Sequence, residues 1–437
     1  MHDLVPPLAL SEGFHVGGLY VAGLVGLGIT LVVGVGALSN QHERAFSASV
    51  FYVLLGVVGA LALSVLDVTP LDPVRDHTLL ERLAELALIV AVFAAGLTVE
   101  ANIRRRSVVS VLVLLAVVMP LTIAIIALFG YYAMGLSFGA AVILGSVLAP
   151  TDPVLAGDVG LGPPGSIEQG EPQFSLHTEA GLNDGLASPF VLLGLLIAQQ
   201  GGTSWLGEWL WADLLYAVCF AIGIGLLLGW GAAWVATRAR SRGLINAELD
   251  AFAALALVLV VYGLSEFLGS YGLLAVFAAG FAFRRYEYGH EVHEGFHLGS
   301  ETASNLLELL VLLLLGSMLT IDGLGVPGWS GWLLAPLLIF VIRPVLVLAT
   351  SSPGLAPLRE RVFLGFFGVR GVAALFYAAI VVESGALSSA ETDLVVWTTL
   401  VCVVVSIVIH GISLTPLQRL LLDEVPDLNA EDEGAGS

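Results

Sequence analysis

Five charged side chains stand inside otherwise apolar sequence: Asp152, Glu179, Asp184, Arg343 and Arg370. A charge at the centre of a lone helix in hydrocarbon costs at least about 2.5–3.5 kcal/mol, so each needs a partner or a task. Asp152 sits in Ala149-Pro150-Thr151-Asp152-Pro153, where each proline removes a backbone donor and disrupts the helix. The carbonyls so freed are tolerable only within protein or beside a water-filled cavity. Glu179-Ala180-Gly181-Leu182-Asn183-Asp184 follows one apolar run later. On a helix, Glu179 and Asn183 are four apart, as are Ala180 and Asp184, so these positions line one broad face. Asp184 and Asp152 can then meet across two neighbouring helices. Paired carboxylates with hydroxyl and backbone oxygens, Thr151 among them, suit a hard cation or a proton.

The two arginines supply the counter-charge. Arg343 precedes Pro344 inside an apolar run, where an unpaired guanidinium is implausible. Glu179 is its natural partner, which leaves Asp152 and Asp184 for an ion. Arg370 lies in the glycine-rich stretch Gly365-Phe366-Phe367-Gly368-Val369-Arg370-Gly371, suited to a second interrupted helix. There it offsets the negative ends of helix dipoles where two broken helices cross. Glu85, Asp250, Glu266 and Glu308 lie nearer the ends of their runs and read as packing or snorkelling residues.

The elements that position these groups are membrane spans. The chain has 437 residues, of which 57% are hydrophobic and 12% charged, far below the roughly 25% charge of soluble domains. Apolar runs of about 17–25 residues, each able to cross the hydrocarbon core as a helix, predict thirteen spans. They fall near 16–38, 48–66, 80–98, 108–131, 137–158, 174–200, 210–236, 249–267, 271–283, 304–320, 330–350, 361–382 and 394–414. Strands are excluded by continuous rather than alternating hydrophobicity. Arginines gather in alternate connections: Arg44, Arg104–Arg106, Arg238–Arg242, Arg284–Arg285, Arg359–Arg361 and the tail Arg419. That asymmetry puts residues 1–15 outside and the C-terminus in the cytoplasm. The membrane domain runs over 16–422, with a repeat at 16–200, a linker helix at 210–236 and a second repeat at 249–414. An odd number of spans between corresponding elements inverts one repeat relative to the other, with interrupted spans 5 and 12 in matching positions. The expected fold is therefore all-α and integral to the membrane, two inverted six-helix repeats with crossed interrupted helices.

Net charge is -20 and the basic residues are all arginine, an acidic, lysine-free balance that suits a high-salt organism. No basic stripe points to nucleic acid, and there is no Walker A sequence for an ATP-driven pump. Cys219 and Cys402 sit in apolar runs and form no metal motif. The start of the chain lacks the basic region of a signal peptide, so the first run is expected to remain as a helix. The inner loop from Asp158 to Gln173 is acidic and reads as a cation-attracting mouth or a solvated loop; the acidic tail 423–437 reads as disordered. His290, His293 and His297 lie in a cytoplasmic connection, where a polar loop, pH sensing and metal binding stay open.

Together the Ala149–Pro153 segment, Glu179–Asp184, the intramembrane Arg343-Pro344 and Gly368-Val369-Arg370-Gly371 resemble the NhaP/NHE branch of the cation:proton antiporters, in order and across nearly the whole membrane region. The resemblance implies Na+/H+ exchange by alternating access, with Na+ and H+ as substrates, no cofactor, a homodimer and a plasma-membrane location. It implies that Thr151, Asp152 and Asn183 contribute to the cation site, that Asp184 alternates between Na+ and H+, and that Glu179 pairs with Arg343. The Asn183-Asp184 pair resembles the electroneutral branch, implying one Na+ per H+. Ala180 departs from the serine common at that position, which leaves Na+ against K+ preference open; K+/H+ exchange on the same scaffold and a passive cation channel are the alternatives.

Overall fold

A computed structural model describes residues 48–65, 69–99, 105–153, 171–200, 202–243, 249–286, 292–351 and 356–422, with a few isolated positions besides. Within them the chain runs through α1 (Ala48–Ser64), α2 (His77–Thr98), α3 (Arg105–Ala133), α4 (Phe138–Leu148) and α5 (Glu171–Gln199). It continues through α6 (Leu206–Ser241), α7 (Asp250–Phe267), α8 (Gly272–Tyr286), α9 (Val292–Met318) and α10 (Gly328–Thr350). The last three are α11 (Leu358–Phe366), α12 (Val372–Ser384) and α13 (Ser389–Leu422). Among the described residues, seven helices are long and apolar enough to cross a membrane. The chain is thus a multi-pass membrane protein, and the expected second to thirteenth spans each contain helix, the fifth only to Leu148, with 154–158 outside the described residues, and the twelfth broken over 367–371. The first span, the loop 158–173 apart from its last residues, His290, the His293 side chain and the tail 423–437 lie outside the described residues.

Two bundles form. One gathers α3, α4, α5, α10, α11, α12 and α13; the other gathers α1, α2, α6, α7, α8 and α9. They meet where α2 lies against α12 and α5, α8 against α5, and α1 against α13. Packing pairs recur across the two halves: α1 on α9 is matched by α8 on α2, and α4 on α5 by α12 on α13. Lipid is as apolar as the side chains, so close backbone approach rather than water exclusion drives such contacts. A Cβ on Gly56 of α1 would lie 2.2 Å from the Leu313 carbonyl oxygen of α9.

The charges near the run ends serve this packing. Tyr262 donates to Glu85 at 2.6 Å and Arg82 reaches the same carboxylate at 3.0 Å. Arg240 pairs with Asp250, and Glu266 accepts the Gly272 N–H at 2.8 Å. His297 lies 3.5 Å from Glu301, and no cluster able to hold a metal occurs among the described residues.

Candidate ion-binding site

The site is built where two helices stop inside the first bundle. α4 ends at Leu148 and the chain unwinds through Pro150 and Asp152; α11 ends at Phe366 and helix resumes at Val372. The two breaks cross. The Asp152 N–H donates to the Val369 carbonyl at 2.9 Å, and the Val372 N–H donates to Asp152 Oδ2 at 2.8 Å. A carboxylate thus receives an orphan amide at the positive end of α12. Arg370 serves the opposite ends: its Nε donates to the Leu148 carbonyl at 3.1 Å and its Nη1 to the Gly368 carbonyl. These are carbonyls at the C-terminal breaks of α4 and α11, where the dipoles are negative. The Arg370 N–H is taken by Ser406 of α13 at 2.9 Å.

The two glycines of Gly368-Val369-Arg370-Gly371 are there for space. A Cβ at Gly371 would lie 2.0 Å from Asp152 Oδ2, and one at Gly368 would lie 2.1 Å from Arg343 Nε. One glycine admits the acid to the crossing and the other admits the guanidinium.

α5 brings the second carboxylate. Asn183 clamps the unwound segment, donating to Thr151 Oγ1 at 2.9 Å and accepting the Thr151 N–H at 3.2 Å. Its amide also lies 3.4 Å from Glu179 Oε1. Glu179 is held by Arg343 through two bonds of 3.0 and 2.6 Å, a bidentate pair that fits the planar guanidinium. α10 delivers Arg343 through a π-helical turn, Leu338–Ile342, immediately before Arg343-Pro344. Proline offers no N–H, so the regular ladder fails there and a wider turn takes it up. α3 repeats the device, with Leu114–Val118 immediately before Met119-Pro120. Asp184 is fully buried and neither carboxylate oxygen has a hydrogen-bond partner among the described residues.

Asp152, Glu179, Asp184, Arg343 and Arg370 all lie in this one buried region, each at most 3% exposed. Ala180 is buried on α5 beside Glu179 and offers no oxygen. Two further groups support the site, His410, which its apolar run marks as a packed residue, and Tyr377, which a scan for charges misses. His410 of α13 caps the Phe366 carbonyl at 2.9 Å, and Tyr377 of α12 binds the Asp184 carbonyl. A tyrosine in the middle of an apolar run was the available signal for the latter, since a buried phenol usually finds a partner.

An all-helical membrane fold with crossed, interrupted helices and a buried unpartnered acid defines the class as that of antiporter-fold proteins. The chain belongs to the sodium/hydrogen exchanger family, matching its transmembrane region over residues 27–420. It is 30% identical to Na(+)/H(+) antiporter 2 of Zygosaccharomyces rouxii, over 79% of this chain and 46% of the relative. It is 24% identical to the K(+)/H(+) antiporter NhaP of Alkalimonas amylolytica, over 80% of this chain and 59% of the relative. The chain therefore spans about half the length of these relatives. In fold it is similar to the sodium proton antiporter MjNhaP1 from Methanocaldococcus jannaschii, with a TM-score of 0.71 at 19% identity, covering 92% of this chain and 99% of that one.

Proposed function

We propose that this chain exchanges Na+, with Li+ as a close substitute, for H+ by alternating access at Asp184 and Asp152. The observation that carries the reading is the Asp184 carboxylate, buried and without a hydrogen-bond partner among the described residues. An acid left bare in a water-poor interior needs a cation or a proton. The charge balance agrees. With every group ionised, three carboxylates face two guanidiniums, and one negative charge is left over. One Na+ or one H+ cancels it, so either loaded form crosses as a neutral interior while the empty form does not. This supports a one-for-one, electroneutral exchange, with the two bundles rocking against each other along α2, α5 and α12.

In this reading Asp184 takes the ion or the proton, and Asp152 adds an oxygen while its Oδ2 stays on the α12 N-terminus. Thr151 lines the site. Asn183 spends its amide on Thr151 and Glu179, so its part is to hold the break in place. Glu179 and Arg343 are the structural pair, and Arg370 steadies the crossing. The transporter operates in the plasma membrane with the N-terminus outside, as a homodimer. A K+/H+ reading keeps a place because the A. amylolytica relative is named for K+ and Ala180 offers no hydroxyl.

The test is Na+-driven dissipation of a preset ΔpH in proteoliposomes. Asp184→Asn is expected to abolish it, and retained exchange refutes the assignment. In the unmodified protein Na+ and H+ compete for the same oxygens. The apparent KM for Na+ therefore rises about tenfold per pH unit on the acid limb while the maximal rate holds. Running Na+, Li+ and K+ side by side separates the two ion readings.

A further inference from the structure

Tyr377 lies on α12, five residues beyond Val372, and is buried with 2% exposure. Its hydroxyl donates to the backbone carbonyl of Asp184 on α5 and receives the Ser188 hydroxyl at 2.8 Å. Both acceptor and donor belong to consecutive turns of α5, so one phenol bridges the two helices beside the carboxylate.

The place of this bridge is where α5 is weakest. Pro189 lies inside the helix and has no N–H, so the Gly185 carbonyl, one residue past Asp184, loses its regular donor. A turn with a missing bond bends easily, and a bend there swings the Asp184 side chain. At the same turn the α5 backbone is pressed against α8: a Cβ at Gly185 would lie 2.8 Å from the Leu274 N. Tyr377 therefore braces a softened turn against the helix whose N-terminus also holds Asp152. α12 holds Asp152 by the Val372 N–H and Asp184 by the hydroxyl of Tyr377, whose backbone lies five residues, about 7.5 Å, further along the axis at 1.5 Å per residue.

We propose that Tyr377, seconded by Ser188, is a positioning residue that sets the spacing and rotation of Asp184 relative to Asp152, and through them the affinity for the transported cation. The assignment rests on Asp184 as the carrier acid. The two carboxylates come from different segments, the break after α4 and the α5 helix; referring both to one rigid helix keeps the ligand oxygens matched to one ion radius.

The experiment measures exchange in proteoliposomes as a function of Na+ concentration. Tyr377→Phe keeps the ring and removes only the bridge. It is expected to raise the apparent KM for Na+ five- to tenfold, with the maximal rate changed less than twofold. Ser188→Ala is expected to act in the same direction more weakly, Ser188→Thr to restore the native KM, and Ser188→Ala added to Tyr377→Phe to do nothing further. An unchanged KM in Tyr377→Phe overturns the proposal, as does a loss of maximal rate and thermal stability at unchanged KM, which a purely structural hydroxyl produces. Additive effects of the two variants overturn the bridge. Asp184→Asn run alongside separates the failures: if it still exchanges ions, the carrier assignment falls; if it is dead while Tyr377→Phe keeps its KM, only the positioning role falls.

Discussion

Glu179 has two possible employments, as partner of Arg343 or as ligand of the ion, and a double-variant cycle distinguishes them. Both side chains are at most 3% exposed and joined by bonds of 3.0 and 2.6 Å. Removing one member of such a pair strands a buried charge, which costs about 3–5 kcal/mol, whereas replacing both with neutral groups of similar size is often harmless. Glu179→Gln and Arg343→Met are therefore each expected to lower the thermal midpoint of the purified protein, and the double variant to stand above both. The coupling between them is expected to reach about 3 kcal/mol, at the upper end for directly contacting residues. The charge count moves in parallel. Glu179→Gln leaves the interior neutral and disfavours a cation, Arg343→Met leaves it doubly negative, and the double variant restores the single negative charge. ΔpH dissipation by Na+ in proteoliposomes is thus expected to fail in Glu179→Gln and to return in the double variant. Additive destabilisation refutes the pairing. Recovered stability without recovered Na+ exchange makes Glu179 a ligand and refutes its purely structural part.

Two further expectations concern the crossing and a contact at the helix ends. Gly371→Ala puts a methyl group 2.0 Å from Asp152 Oδ2, which drives Asp152 off the α12 N-terminus; Na+ exchange is expected to be lost with the protein still inserted, as read by transport against membrane yield. Outside the membrane, His77 precedes the expected span 80–98, and both of its ring nitrogens face acceptors, the Val74 carbonyl at 2.7 Å and Glu383 at 2.8 Å. Both nitrogens must then donate, which requires the imidazolium, and the Glu383 hydrogen bond first among the causes raises the His77 pKa. A raised folded pKa means that the contact stabilises at low pH and is lost as pH rises through that value. Because the contact ties α2 to α12, the thermal midpoint is expected to fall at alkaline pH more in the unmodified protein than in Glu383→Gln. Equal pH profiles refute it, the nearby Glu81 carboxylate being present in both.

Much of this was legible in the residues alone because hydrocarbon penalises error so heavily. Thirteen apolar runs mark the helices, and twelve of them fall on helix in the described residues. Pro150 and Pro153 marked the first break by removing backbone donors, and the glycines around Arg370 marked the second by their low helix propensity. Glu179 and Arg343 call for each other in the sequence, because neither is bearable alone in the membrane. Ala180 marks a missing oxygen only through the family resemblance, where serine is common at that position. What escaped was whatever depends on how hydrogen bonds are divided among near neighbours.

That division belongs to the tertiary structure. Sequence groups Asp152, Asn183 and Asp184 at one site, and resemblance makes Asp184 the carrier, but neither divides the hydrogen bonds among them. Only the crossing of α4 with the α11–α12 break assigns an Asp152 oxygen to the Val372 N–H and the Asn183 amide to Thr151, leaving Asp184 bare. Tyr377 shows in the chain only as a phenol that needs some partner, and becomes a brace because folding sets its hydroxyl against the Asp184 carbonyl. The cost of burying charge is a property of each residue and is written in the chain; which partner discharges that cost depends on ångström-scale distances between segments far apart in sequence, and only the folded bundle sets those.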